Sequence, residues 1–375
     1  MPSTPNPLRP TRLEVNLTHL AGNLHLIHQK VAPARVMPVV KANAYGHGLV
    51  EVARHMLANG ADCLGVAILE EGILLREGGL TGPILVLGGF LPEQIPLYLT
   101  NDLQITASSL DKLLQIDEAA RGMGRTARVH LKIDTGMGRL GVQYFDAEAF
   151  LETSLRCQHC LIEGIFSHFA SSDEANLDYA HLQLERFNQV LSFYEKRGLQ
   201  PPLRHMANSG AIIQLPESYF DMVRPGIMLY GVYPSDEVQR TVAVRPALTW
   251  KSQVVHSKIL PPGHPVGYGS TWHSDHPVRL VTIPVGYADG YFRRMSGNAR
   301  VILRGTPYPV VGRIAMDQVM VNMENDPADV GEEVTLLGEG DGESITCEDM
   351  AAWAGTNVYE ILTNISARVP RVYTT

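Results

Sequence analysis

The chain has 375 residues, 45% of them hydrophobic and 19% charged, which is long enough for two domains and apolar enough for a large buried core, so disorder is excluded as its main state. Lys and Arg number 31 against 39 Asp and Glu, a net charge of −8, and that balance is ill suited to neutralising nucleic-acid phosphates. No apolar run reaches the roughly 18 residues of a membrane helix, and the start, Met1 to Pro7, has neither a basic nor an apolar segment, so the expectation is a cytoplasmic chain without nucleic-acid or membrane partners.

The first predicted element is an amphipathic helix opened by Thr18, in which Leu17, Leu20, Leu24, Ile27 and Val31 recur at steps of three and four. From residue 36 onward a short apolar run, a turn and a helical stretch repeat. The predicted strands are Val36–Val40, Cys63–Ala67, Ile84–Leu87, Leu103–Thr106, Val129–Ile133, Ile162–His168, Leu203–Met206 and Asp221–Val223, separated by helical stretches such as Glu51–Asn59, Leu110–Arg121 and Ala175–Arg197. Eight strands alternating with helices predict an α/β fold, a (β/α)8 barrel of the TIM type. No GxGxxG follows the first strand, which counts against an open dinucleotide-binding sheet. After residue 245 the rhythm changes to strand-like runs at Leu248–Ile259, Val278–Pro284, Ala299–Leu303, Val310–Val311, Gln318–Met323 and Glu333–Leu337, with one helical stretch at Ile345–Ala354. The expected organisation is a barrel over 14–244 and a mostly β C-terminal domain over 245–375 that includes residues 1–13.

Cys157-Gln-His-Cys160 has metal or redox spacing, but no second pair stands at ligand distance in the sequence, so reduced thiols are expected and no metal. The chemistry is sought at the carboxyl ends of the barrel strands, where this fold places it. Lys41 leaves an apolar strand into Ala-Asn-Ala-Tyr45-Gly-His-Gly; an amine there is desolvated, which lowers its pKa and frees it to form a Schiff base. Asn208-Ser209-Gly210-Ala211 opens a helix and Arg224-Pro225-Gly226-Ile227 follows a strand, so their small residues and N–H groups suit an oxyanion such as phosphate. A lysine with a phosphate cup points to pyridoxal phosphate.

The segments Val39-Val-Lys41-Ala-Asn-Ala-Tyr45-Gly-His-Gly, Ile133-Asp-Thr-Gly-Met-Gly-Arg139-Leu-Gly, Arg224-Pro-Gly-Ile-Met-Leu-Tyr-Gly, Gly267-Tyr268-Gly-Ser-Thr-Trp, Gly286-Tyr287-Ala-Asp-Gly-Tyr and Gly312-Arg-Ile-Ala-Met316-Asp317 resemble, in order and across both domains, the alanine racemase family of pyridoxal phosphate enzymes. The resemblance implies that Lys41 holds the cofactor and acts as one acid/base. It also implies that Tyr268, supplied by a second subunit of a homodimer, acts on the opposite face of the substrate's α-carbon. Tyr45, Ser209, Gly226 and Tyr359 would contact the phosphate, with Asn208 and Ile227 in the same cup, while His168 and Arg224 would support the cofactor ring. Arg139 would hold the substrate carboxylate, and Tyr287, Met316 and Asp317 would line the substrate entrance, Met316 again from the partner. Lys132, seven residues before Arg139, would carry a carbamate that converts +1 to −1 and braces that arginine; an ordinary partner carboxylate is the plainer alternative. Ala315 stands where the family often has cysteine. The implied activity is interconversion of L- and D-alanine for peptidoglycan. The alternatives are a serine or broad-specificity racemase, and a cofactor carrier without turnover, against which the second domain argues.

Overall fold

The structure, a computed structural model, describes residues 8–375, and the expectations placed on residues 1–7 lie outside it. The chain divides into two compact units: Leu20–Ala44 with Leu49–Arg245, and the segment up to His19 with Tyr45–Gly48 and Pro246–Thr375. The boundaries expected from sequence differ from these at residues 14–19, 45–48 and 245.

The first unit is the barrel. Its strands are β1 (Arg35–Val36), β2 (Leu64–Val66), β3 (Ile84–Val86), β4 (Gln104–Ala107), β5 (Ala127–Asp134), β6 (Cys160–Phe166), β7 (Leu203–His205) and β8 (Met222–Val223), all parallel, in the order β1-β8-β7-β6-β5-β4-β3-β2. The two ends of that order meet: Val40 N–H donates to the Gly65 carbonyl at 2.8 Å and Gly65 N–H to the Pro38 carbonyl at 2.9 Å. Helices follow the strands, as their spacing predicts, with Ser109 Oγ capping Leu110–Gly122 through Lys112 N–H at 3.1 Å. Two local expectations are corrected. The first helix, Leu17–Val31, is opened by Asn16, whose Oδ1 accepts the His19 N–H at 2.9 Å, so Thr18 lies inside it. A helix not foreseen, Ala147–Ser154, stands between β5 and β6 and buries Ala147, Phe150, Leu151 and Ser154, a three-and-four spacing hidden in a short polar stretch.

The second unit is built on a ten-stranded sheet that is antiparallel except where Arg12–Asn16 runs parallel to Arg371–Thr374. The single strand predicted over Leu248–Ile259 is two, Leu248–Gln253 and His256–Leu260. Between them the chain changes neighbours: Val254 N–H donates to Glu332 and Val255 N–H to Thr282, each at 2.9 Å. Helices Cys347–Ala354 and Val358–Thr363 complete the unit. Tyr45–Gly48 belongs here because Gly46 lies against the Leu362 carbonyl with no room for a Cβ, while Arg371 Nε donates to the Gly46 carbonyl at 3.0 Å.

Candidate active site

Side chains alternate along a strand, so the barrel-lining residues of neighbouring strands meet at the levels that register dictates. Lys132 of β5 pairs with Phe166 of β6, and Phe166 with His205 of β7. One interior layer results: the Lys132 amine lies 4.5 Å from the Phe166 ring centroid, and the Phe166 and His205 rings stack at 4.7 Å and 7°. His130, two residues before Lys132 on the same face, meets His205 one step lower.

Arg224 organises this layer from just beyond β8. Its Nη2 donates to the carbonyls of Ser167 (2.7 Å) and Met206 (3.0 Å) and to His168 Nδ1 (3.2 Å), and its Nη1 to His205 Nδ1 (2.9 Å). A guanidinium has donors only, so both histidines accept at Nδ1 and carry hydrogen at Nε2. His205 Nε2–H then donates to His130 Nδ1 at 2.9 Å, which leaves the buried His130 Nε2–H without a partner. Burial and then neighbouring positive charge push His130 down to about 3, and burial with Arg224 holds His168 and His205 well below the ordinary imidazole range. One fixed cation thus sets three neutral rings, and Arg224 Nε–H and one Nη1–H are not used in these bonds.

Lys132 stands in the same field. Burial, then Arg224 and Arg139, hold its amine well below the usual lysine value, with Asp134 opposing. Asp134 is engaged elsewhere: its carboxylate accepts from the N–H groups of Gly136 (2.9 Å) and Gly138 (3.0 Å) and shapes the turn that leads to Arg139. Arg139 itself is exposed.

Lys41 is placed by a turn that sequence reading treats as a loop. Ala42, Asn43 and Ala44 have φ of 53°, 56° and 53°, and Tyr45 follows at 50°, a left-handed turn of non-glycine residues in a conformation that costs about 1–2 kcal/mol per residue. Glu71 holds it: one carboxylate oxygen accepts Ala42 N–H at 2.6 Å and the other Ala67 N–H at 2.8 Å. Asn43 Oδ1 accepts Leu49 N–H at 2.8 Å. Burial first, then the Arg139 charge, lower the Lys41 amine below its ordinary value, against the pull of Glu71.

Beside this layer, Ser209 is buried and its Oγ accepts the N–H groups of Gly226 (3.0 Å) and Met228 (3.4 Å), leaving the hydroxyl hydrogen to donate. Asn208 serves as a cap, its Oδ1 accepting from Ala211 N–H at 3.0 Å and Ser172 Oγ–H at 2.7 Å. Gly210 allows the close approach, since a Cβ there would sit 2.6 Å from the Ser172 carbonyl oxygen. Ile227 opens a short 3₁₀ turn and is fully buried.

In the second unit the Tyr45 and Tyr359 rings lie 6.3 Å apart. Tyr287 and Met316 are neighbours because Tyr287 N–H donates to the Ala315 carbonyl and Ala288 N–H to the Met316 carbonyl, both at 3.0 Å. Asp317 is paired with Arg368 at 2.7 Å. Tyr268 stands on a tight turn between Gly267 and Gly269, both at positive φ, and the Arg313 guanidinium lies against Gly269. Sequence reading missed Glu71, His130, Phe166 and His205. Only the step of two from Lys132 back to His130 was visible in one dimension.

A parallel barrel with a desolvated lysine at a strand end, facing arginines and a small-residue cup, defines a class of lysine-based cofactor enzymes. The Alanine racemase N-terminal domain family matches residues 15–234 and the Alanine racemase C-terminal domain family residues 247–373. The alanine racemase of Carboxydothermus hydrogenoformans is 46% identical over 368 residues, 98% of this chain and 100% of the relative. The solved alanine racemase of Clostridium difficile 630 superposes with a TM-score of 0.94 at 38% identity, covering 98% of this chain and 97% of that one. The solved histidine racemase of Leuconostoc mesenteroides subsp. sake superposes at 0.91 with 32% identity, covering 99% of each chain. The chain belongs to the alanine racemase family and is an enzyme of the racemase class. Among the described residues no helix is long and apolar enough to cross a membrane.

Proposed function

We propose that this chain interconverts L-alanine and D-alanine in the cytoplasm, with pyridoxal phosphate held through Lys41. The observation that carries the reading is the Lys41 amine itself, buried at a strand end, lowered by desolvation and Arg139, and braced by Glu71. The donor set fits the cofactor's three functions: a lowered amine for its aldehyde, the Arg224 Nε–H for its ring nitrogen, and the Ser209 hydroxyl, whose oxygen is held by the Gly226 N–H, for its phosphate, with Gly226 and Ile227 joining that cup by family resemblance. By family resemblance Tyr45 and Tyr359 join the phosphate contacts, with Asn208 holding the cup in shape and His168 lying beside Arg224. When bound, the cofactor supplies an electron sink for charge on the substrate's α-carbon.

Racemisation requires a proton to leave one face of that carbon and another to arrive at the opposite face. Lys41 takes one face. Tyr268 of a second copy takes the other, in a homodimer that also contributes Met316. Arg139 binds the substrate carboxylate, and Tyr287 and Asp317 line the entrance. Arg224 cannot release its proton, so it withholds full protonation from the ring nitrogen and keeps the sink weak, which favours return of the proton to the α-carbon. Lys132 carries a carbamate: an amine held low by burial, Arg224 and Arg139 is free to take up carbon dioxide with loss of a proton, and the anion formed faces both guanidiniums while Asp134 is engaged by backbone amides. A native mass heavier by one carbon dioxide, traced to Lys132, is expected; a bare amine with full activity after removal of carbon dioxide counts against it.

The product D-alanine suits peptidoglycan synthesis. The deciding experiment follows the α-proton of alanine in deuterated water together with the enantiomer formed. Exchange with inversion is expected, and no exchange with the cofactor bound would sink the reading. Because a histidine racemase shares the fold, the same assay on serine, histidine and other small amino acids separates an alanine-specific enzyme from a broad one.

A further inference from the structure

At the amino ends of the barrel strands, opposite the lysine end, three donors converge: Asp117 of helix Leu110–Gly122, Cys157 of the turn after helix Ala147–Ser154, and Cys160, the first residue of β6. Their ligand atoms all lie within 4.8 Å of one another, and all three residues are half-buried. The Cys160 thiol thus has the Asp117 carboxylate and the Cys157 thiol as its neighbours. Asp117 Oδ1 also accepts the backbone N–H of His159 at 2.7 Å, which fixes the carboxylate against the Cys-x-x-Cys turn.

We propose that Asp117, Cys157 and Cys160 bind one zinc ion, with a water as the fourth ligand. Two soft sulfur donors and one carboxylate suit zinc and exclude calcium or magnesium, which take oxygen donors. Zn–S of about 2.3 Å and Zn–O of about 2.0–2.2 Å imply tetrahedral ligand separations of roughly 3.3–3.8 Å, so shifts of about 1 Å or less complete the shell. Binding releases the two thiol protons to solvent and leaves the site with a net charge of −1, Zn²⁺ against two thiolates and one carboxylate. A redox role for the pair fits less well. The cysteines follow the carboxyl end of a helix and face a carboxylate, whereas an attacking thiolate needs a helix amino end or a neighbouring cation; a dication supplies the positive charge that these surroundings lack. The ion ties the helix after β4 to the start of β6, at the barrel end where residues serve stability rather than chemistry.

The test uses the holoenzyme, exposed to zinc and then freed of excess metal. One zinc per chain is expected beyond what C157S/C160S retains, together with a higher unfolding temperature for the parent only. Cobalt in place of zinc is expected to give thiolate charge-transfer absorption that the variant lacks. D117N keeps an acceptor for the His159 N–H but loses the charge, and its zinc affinity is expected to fall at least about tenfold. If the double variant does not fold, protection of Cys157 and Cys160 from alkylation by zinc, reversed by a chelator and read by peptide mass, replaces it. Equal zinc content in parent and variant, alkylation indifferent to zinc, or a Cys157–Cys160 disulfide that persists in the presence of zinc would overturn the proposal.

Discussion

In the barrel unit one group of charged and titratable residues is buried together: Lys132, His205 and Arg224 are each no more than 6% exposed, and one guanidinium dictates the tautomers of three histidines. In the antiparallel unit Tyr45 is buried, but three other candidates lie open to water, Tyr268 at 70%, Met316 at 51% and Tyr287 at 42% exposure. A buried group takes its protonation state from its own chain, because desolvation and fixed charges act on it at low dielectric. Tyr268 lies open to water in its own unit, and the proposed function assigns its remaining surroundings to a second copy. The contrast is what the proposed second copy explains.

The largest effect is expected on the barrel side. Lys41→Ala removes covalent attachment and one acid/base together, and racemisation should fall more than about 10⁴-fold, with borohydride no longer labelling the chain. Tyr268→Phe should lose about 10²- to 10⁴-fold and leave cofactor attachment intact. Mixing these two inactive chains sharpens the comparison: if Tyr268 acts across a dimer, reassembly restores roughly a quarter of the parent activity, the statistical yield of mixed dimers with one intact site. No recovery, with mixed dimers present, would place Tyr268 and Lys41 in the same chain.

Arg224→Glu leaves the Ser167 and Met206 carbonyls without their donor and sets an anion beside His168 and His205. A stability loss of about 2–4 kcal/mol is expected in denaturant unfolding. In the fraction that folds, the ratio of pyruvate to D-alanine should rise, because a carboxylate lets the cofactor ring hold a proton; an unchanged ratio contradicts the role given to Arg224.

The smallest effect concerns pH. His130 binds its proton only near pH 3 when folded but near 6.5 when unfolded, so the unfolded chain holds more protons between those values. Its stabilising contribution is complete above about pH 6.5 and is lost as the pH falls toward 3. His168 and His205 act in the same direction. His130→Asn keeps an acceptor for His205 Nε2–H and cannot titrate, so the plot of unfolding free energy against pH should lose up to about one proton of slope in that window. An unaltered slope would mean that His130 is not the neutral ring described above.

Much of the barrel was legible in one dimension. Eight apolar runs alternate with helical spacing, and all eight form strands, because burial on both faces demands continuous apolar residues whatever lies next to them. Lys41, Ser209 and Arg224 could be found because each follows a strand in a loop rich in small residues. Glu71 could not, since nothing in its own helix distinguishes a carboxylate that reaches Ala42 and Ala67 from one that faces water. Phe166 and His205 read as ordinary strand residues until register sets them level with Lys132.

The sequence by itself determined the periodicities, the order of the elements and the identities of the residues at strand ends, since these depend on neighbours within a few positions. Tertiary structure alone decided which side chains share a layer, which amines and imidazoles are stripped of water, and which thiols and carboxylate meet at the far end of the barrel. Those outcomes arise from parallel pairing between segments 33 to 187 residues apart, and the electrostatic environment of a buried group is a sum over residues that only such pairing brings within a few ångströms.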